Sequence, residues 1–397
     1  MQKAPSRSAP VRRPTTESGP RAPLYAAIDL GTNNCRLLVA TPATDGFRVV
    51  ESFSRIVRLG EGLSQTGQLQ PQAMDRALAA LRICADKIKR RKVDKLRAVA
   101  TQACRGAVNG AAFVRRVEQE TGLQLSIIAP DEEARLSVAG CANLIDPTDK
   151  AALIVDVGGG STELSWLSLE PNGPGKVRHT IEAWLSIPVG VVSLAERFPE
   201  PPNGDPHQWF AAMVADVHQR LDGFRNADRL RPLFEQGQAH LIGTSGAITS
   251  LAGVHLNLDR YDRTVVDGLW MERQSCTDAA RRLIDLGHIG RMREPCIGPD
   301  RADLVLAGAA ILEAVQSLWP CPRVRVADRG LREGMLLSMM RKKRRRRGKG
   351  ASAETKAALP RVQEERPNGD EKPVGRRRRR RQSKGRSAPR TGATDAS

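Results

Sequence analysis

Paired cysteines are missing from this sequence. Its seven cysteines, Cys35, Cys84, Cys104, Cys141, Cys276, Cys296 and Cys321, are odd in number, far apart and never in a C-x-x-C pair. That excludes a disulfide framework and a thiolate zinc site, and leaves small core residues of a reducing compartment. The six histidines show no H-x-x-x-H spacing, so a helical zinc motif is absent as well. No apolar run near the N-terminus is long enough for a signal peptide or a membrane span. The leader is rich in Arg, Ser and Thr, but Pro5, Pro10, Pro14, Pro20 and Pro23 break the amphipathic helix of a transit peptide. A soluble, cytoplasmic protein without membrane association is expected.

Net charge is missing from the middle of the chain, although the whole carries +19. Residues 24–340 hold 37 basic and 37 acidic residues, residues 1–23 carry +4, and residues 341–397 carry +15. A compact nucleic-acid-binding domain would concentrate basic charge on a folded face, and this pattern argues against one. The last segment contains no Phe, Tyr or Trp, so base stacking is unavailable to it. It reads as a disordered polyanion-binding tail, able to hold RNA or polyphosphate nonspecifically by counterion release.

The neutral stretch alternates strand and helix signals. Strands are expected at Tyr25–Leu30, Arg36–Thr41, Phe47–Phe53, Leu96–Thr101 and Leu123–Ala129, with helices over Pro71–Arg91, Ala111–Thr121 and Asp131–Ala142. The pattern then restarts with strands at Ala151–Asp156, Thr162–Leu169, Val177–Ile187, His240–Gly243 and Arg323–Asp328. Helices are expected near Val191–Phe198, Pro206–Phe224, Thr277–Leu286 and Arg301–Leu318. Each half opens with the same device. Ile28-Asp29-Leu30-Gly31-Thr32-Asn33-Asn34 and Val155-Asp156-Val157-Gly158-Gly159-Gly160-Ser161-Thr162 are apolar strands ending in Asp, followed by a polar, Gly-containing turn. The expected fold is α/β, with two duplicated domains at 24–145 and 146–340 flanking a cleft, a disordered leader at 1–23 and a disordered tail at 341–397.

Glycine lets consecutive N–H groups converge into an anion nest, and Thr32, Asn33, Asn34, Ser161 and Thr162 add hydroxyl or amide groups for phosphate oxygens. A strand-end Asp suits a Mg²⁺ bridging such oxygens, and Glu163 could share the ion with Asp156. Either turn alone could be a plain tight hairpin; two together point to phosphate binding between two lobes. Asp131-Glu132-Glu133 could supply a water-activating carboxylate or merely compensate a helix dipole. Arg105 could reach a phosphate or form a solvated ion pair.

Four motifs now combine: Asp29 to Asn33, Ala100-Thr101-Gln102-Ala103-Cys104-Arg105, Glu132-Glu133-Ala134-Arg135-Leu136, and Val155 to Leu164. Together they resemble the exopolyphosphatase and guanosine pentaphosphate phosphatase family. Pro188-Val189-Gly190-Val191-Val192, Gly243-Thr244-Ser245-Gly246 and Leu331-Arg332-Glu333-Gly334-Met335 match later landmarks in order. The resemblance implies an actin-like, ribonuclease H-like fold shared with sugar kinases and heat-shock chaperones. It also implies that terminal phosphate is released from polyphosphate, or the 5′ phosphate from guanosine pentaphosphate, in the stringent response. Glu133 becomes the catalytic base, and Asp29, Asp156 and Glu163 the acids around Mg²⁺ or another divalent cation. Thr32, Asn33, Asn34, Arg105, Gly158, Gly159, Gly160 and Ser161 become phosphate-binding residues, with Gly243, Ser245 and Gly246 as a further Gly-rich turn. The family's first turn commonly reads G-S-N-S, whereas here Asn34 replaces a hydroxyl by an amide. Longer members carry an extra helical domain, so this chain resembles the short form, and a homodimer is compatible with it. A kinase or ATPase of the same fold and a non-catalytic polyanion binder are the competing readings.

Overall fold

A computed structural model describes residues 21–341, apart from residues 45 and 223. The leader before residue 21 and the basic tail after residue 341 lie outside the described residues.

Two mixed sheets are built on one plan. The first holds β1 (Tyr25–Leu30), β2 (Asn34–Ala43), β3 (Gly46–Ile56), β4 (Lys95–Ala100) and β5 (Leu125–Ile127), in the order β3-β2-β1-β4-β5. The second holds β6 (Ala151–Val157), β7 (Thr162–Pro171), β8 (Val177–Ile187), β9 (Ala239–Thr244), β10 (Trp270–Glu272) and β11 (Arg323–Ala327), in the order β10-β11-β9-β6-β7-β8. In each sheet the opening strand pairs antiparallel with the next strand and parallel with a later one. Five of the six strands of the second sheet therefore repeat the order and directions of the first, the duplicated α/β arrangement of the actin-like fold. The central strands read as nearly continuous apolar runs because both of their faces are covered; in β6, Ala151 to Val155 are all buried.

One face of the first sheet packs on the helices Pro71–Arg91 and Gly110–Thr121, through Ala77, Leu81, Cys84, Phe113 and Val117. One face of the second packs on a larger layer that includes the helices Pro206–Leu221, Gly246–His255 and Val305–Leu318. On the opposite faces the covers are exchanged. The helix Pro130–Cys141, which follows the strands of the first sheet, sets Val138 and Cys141 against Ala152, Ile154 and Leu167 of the second. The last described helix, Leu331–Met340, sets Leu331, Met335 and Leu336 against Ala27, Leu38, Ala40 and Val99 of the first. Residues from the expected second segment, 146–340, thus complete the core of the first sheet.

The two exchanged helices cross at glycines. A Cβ on Gly334 would lie 1.9 Å from the Leu136 carbonyl oxygen, and one on Gly140 would lie 2.0 Å from the Gly330 carbonyl oxygen. No side chain fits either position. The crossing brings the first turns of both helices, with Glu133 on one and Arg332 and Glu333 on the other, to one cleft between the sheets.

Candidate active site

The cleft has a volume of about 1230 Å³, and both Gly-containing turns line it. In the first turn Gly31 N donates to Asn34 O at 2.9 Å; in the second Gly158 N donates to Ser161 O at 2.9 Å. Each turn is buttressed from outside by a neighbouring segment. Val57 N, Arg58 N and Gly60 N donate to carbonyls of Asn33 and Thr32, while Val191 N and Val192 N donate to those of Gly158 and Gly159. The turns also touch one another. A Cβ on Gly159 would stand 2.9 Å from both Asn33 N and Thr32 Cβ, and one on Gly160 would stand 2.7 Å from Thr32 Oγ1. Glycine is required here by close approach of the two turns rather than by a left-handed backbone.

Asp29, Glu133, Asp156, Glu163 and Glu333 line the same cleft. Ser137 Oγ donates to Asp156 Oδ2 at 2.7 Å, Ser186 Oγ to Glu163 Oε1 at 2.9 Å, and Gly330 N to Glu333 Oε2 at 2.9 Å. Burial pushes the Asp156 carboxyl up to about 6 despite the Ser137 bond, and pushes Glu163 up to about 7 with help from Asp156. Burial also raises Asp29, against the lowering pull of Arg36 and Arg332. Glu133 is raised well above the usual carboxylate range by burial and then by Glu163, with Arg105 opposing. Concentrated carboxylates in a place poor in water mark a functional site.

Arg105 does not line the cleft, unlike the other expected residues around the turns. Its Nη1 donates to Glu133 Oε2 at 3.0 Å and to Ile128 O at 2.7 Å, and its Nη2 donates to Gln102 Oε1 at 2.8 Å. The guanidinium sits behind Glu133 and holds it. Gly243 is absent from the lining too: it lies within β9, where a Cβ would press on Ile248 Cγ2 at 3.0 Å, a packing reason for glycine. Ser245 and Gly246 do line the cleft, at the start of the helix Gly246–His255. Ser245 holds a left-handed φ of 126°, and its Oγ is buried without a partner. A strained residue with an unpaired hydroxyl at a cleft is the pattern of a binding position.

Several charged cleft residues carried no assignment from the sequence. Arg36, Arg301, Arg332 and Glu333 all line the cavity. Arg36 was legible in principle: it pairs across β1–β2 with Asp29 in the register where Glu163 pairs with Asp156 across β6–β7. The duplicated hairpins therefore carry opposite charges at equivalent places. Burial lowers the Arg36 pKa, and neighbouring Arg332 lowers it further, a crowding of cations that a bound anion would relieve.

Among the described residues, no three His, Cys, Asp or Glu side chains are gathered as a metal cluster. Asp29, Asp156 and Glu163 thus form no ready-made cage, the latter two each being held by its own serine. The donor set nevertheless fits a hard cation. It consists of buried carboxylates, and Asn33 Oδ1 is a buried cleft oxygen without a partner. Mg²⁺ characteristically takes only one or two protein carboxylates and completes its shell with phosphate and water.

No helix among the described residues is long and apolar enough to cross a membrane. Among known proteins, a model of the Ppx/GppA phosphatase family matches residues 38–343. The crystal structure of the Aquifex aeolicus Ppx/GppA family member is similar at 28% identity, with 80% of this chain and 98% of that one covered and a TM-score of 0.63. An exopolyphosphatase-like protein is similar at 29% identity over 80% and 98% of the two chains, with a TM-score of 0.67. An exopolyphosphatase from Cytophaga hutchinsonii shares the fold at 23% identity, covering 80% of this chain and 97% of that one, with a TM-score of 0.67.

Proposed function

The chain belongs to the Ppx/GppA phosphatase family, and from that membership we propose that it removes the terminal phosphate of inorganic polyphosphate and the 5′ phosphate of guanosine pentaphosphate by attack of water. The observation that carries this reading is the position of Glu133, buried in a cleft whose lining includes two touching Gly turns and unassigned arginines.

The terminal phosphate lies against the Gly158–Ser161 turn, where the backbone N–H groups of Gly159, Gly160 and Ser161, with the Thr32 and Ser161 hydroxyls, bind its oxygens as charge develops. Arg36, Arg301 and Arg332 take the rest of the anionic chain. Arg105 occupies Glu133 Oε2 and fixes the rotamer, so Oε1 is the atom that orients water and takes its proton. Glu133 must be deprotonated to act as a base, and Arg105 together with a cation among the neighbouring acids would favour that form, while its raised pKa makes the carboxylate a stronger base. A divalent cation, Mg²⁺ in this reading, would be held among Asp29, Asp156 and Glu163, one or two of them serving as ligands, and would supply neutralisation of the transferred group's charge.

The test is phosphate release from tripolyphosphate and from guanosine pentaphosphate with no acceptor present. The native enzyme should release phosphate from both, and Glu133→Gln should slow release by about 10²–10⁴-fold. No release by the native enzyme overturns the function; undiminished release by the variant overturns the base.

A further inference from the structure

The zero net charge of residues 24–340 conceals one strongly basic corner. Residues 87–97, from the end of the helix Pro71–Arg91 to the start of β4, hold seven basic side chains against the single acid Asp94. We propose that this corner, together with the two basic ends of the chain, docks the phosphate backbone of a nucleic-acid duplex.

Three acids are already engaged here. Glu51 pairs with Lys87 and Arg91, Glu132 pairs with Arg97, and Asp94 accepts from Arg21 and from Leu24 N. Lys89, Arg90, Lys92 and Lys95 are exposed. Among the described residues no carboxylate pairs with them, that of Asp86 one turn back included. A helix C-terminus attracts cations, which accounts for Lys89 and Arg90 in the last turn. It does not account for Lys95, which lies beyond the helix on β4. Nor does it account for a lysine at position 92, where a left-handed φ of 52° favours glycine.

Both ends of the chain join the fold at this corner's end of the first sheet. Arg21 donates to the Arg91 and Lys92 carbonyls at 3.1 and 2.7 Å, so the leader, with its charge of +4, enters at the corner itself. Tyr25 pairs with Lys95 across β1–β4 and packs on the same apolar cluster as Met339 and Met340, which close the helix Leu331–Met340. The tail, with its charge of +15, therefore starts from the same end. That end is not the cleft. β1 and β4 run side by side from Tyr25 and Lys95 to Leu30 and Ala100, and the next residues, Gly31 and Thr101, line the cleft. Six strand residues put about 20 Å between the two. The corner thus does not extend the phosphate cleft, and serves a second anion.

The occupant follows from what the corner lacks. The ring of Tyr25 is capped by the Lys95 ammonium, so bases find no stacking platform and only backbone phosphates are gripped. A duplex carries one charge per about 1.7 Å, twice the density of either strand, and best suits a cluster of point charges.

The experiment measures binding of a short fluorescein-labelled DNA duplex of arbitrary sequence to the full chain, by anisotropy, at several salt concentrations. Lys89→Gln, Arg90→Gln, Lys92→Gly and Lys95→Gln together should weaken binding at least about tenfold, and reduce the slope of log K against log salt by roughly 3–4. Melting curves confirm folding, and the binding readout holds whether or not the hydrolase reading does. An unchanged salt slope in the folded variant would mean that the chain's ends act alone, and overturns the proposal. So does a loss confined to long polyphosphate with duplex binding intact. Displacement of the duplex by tripolyphosphate at constant ionic strength would put the duplex in the cleft, and overturns it too. Should the fourfold variant not fold, Arg90→Gln and Lys95→Gln singly must each reduce the slope by about 0.9.

Discussion

Arg105 Nη1 lies 3.0 Å from Glu133 Oε2, and the same guanidinium is tied to the carbonyl of Ile128 and the amide oxygen of Gln102. Arg105 thus acts on the cleft through Glu133 rather than by touching its contents. Glu133→Gln should reduce kcat by about 10²–10⁴-fold with little change in KM, the loss typical of a general base. Arg105→Ala removes the charge that holds the Glu133 pKa down. The acid limb of its kcat profile should move to higher pH, whereas a residue binding only substrate would change KM and leave that limb in place.

The touching turns give a sharper steric prediction. Gly159→Ala places a methyl 2.9 Å from a backbone nitrogen that cannot swing aside, so the first turn must be displaced. Thermal denaturation should show a loss of about 1–3 kcal/mol, and turnover should fall far more than that stability change explains. An active Gly159→Ala enzyme would show that the turns need not meet.

Cation-free protein should weaken as pH rises. Asp156 and Glu163 sit at about 6 and about 7 in the folded chain, above their ordinary values of 3.8 and 4.5. The folded state therefore retains protons that the unfolded chain releases, and stability falls between about pH 4 and pH 7. A divalent cation held as proposed would bind the deprotonated acids and oppose this loss. The gain in Tm on adding Mg²⁺ should be larger at pH 8 than at pH 5; a gain independent of pH would separate these acids from the cation.

The helix crossing can be tested away from the cleft chemistry. Gly140→Ala drives a methyl into the Gly330 carbonyl, 2.0 Å away, and should destabilise the protein by about 1–3 kcal/mol or more. Because Gly330 precedes Arg332 and Glu333, activity should fall with stability. At the exposed, left-handed Gly122, which ends the helix Gly110–Thr121 with nothing near its Cβ, an alanine should cost only backbone strain and leave kcat intact.

Much of the fold was legible because its signals are local. The Asp-Gly hairpins announce themselves by composition, and Pro71–Arg91 by an apolar face on an otherwise charged helix. The helix Gly246–His255 escaped recognition for the opposite reason. Ile248 through Val254 are all buried, so no polar face creates a period. Leu331–Met340 was visible as a motif but not as a helix serving the other sheet, since sequence order does not reveal an exchange of covers. At the site, residues on the turns could be read from their chemistry, whereas Arg301 and Arg332 reach the cleft only through tertiary placement. Arg105 shows the converse: its motif is plain, but its direction is set by Glu133 and Ile128.

The exchange of helices between sheets has a consequence for how the protein is made. β1 leaves the ribosome early, yet the helix that covers one face of its sheet begins about 300 residues later, roughly 15–60 s of synthesis. Until then Ala27, Leu38 and Ala40 lack the cover of Leu331, Met335 and Leu336, and the cleft lacks Arg332 and Glu333. Newly made chains should depend on a chaperone during this interval, and a ribosome stalled before Leu331 should hold a polypeptide that is sensitive to protease and inactive.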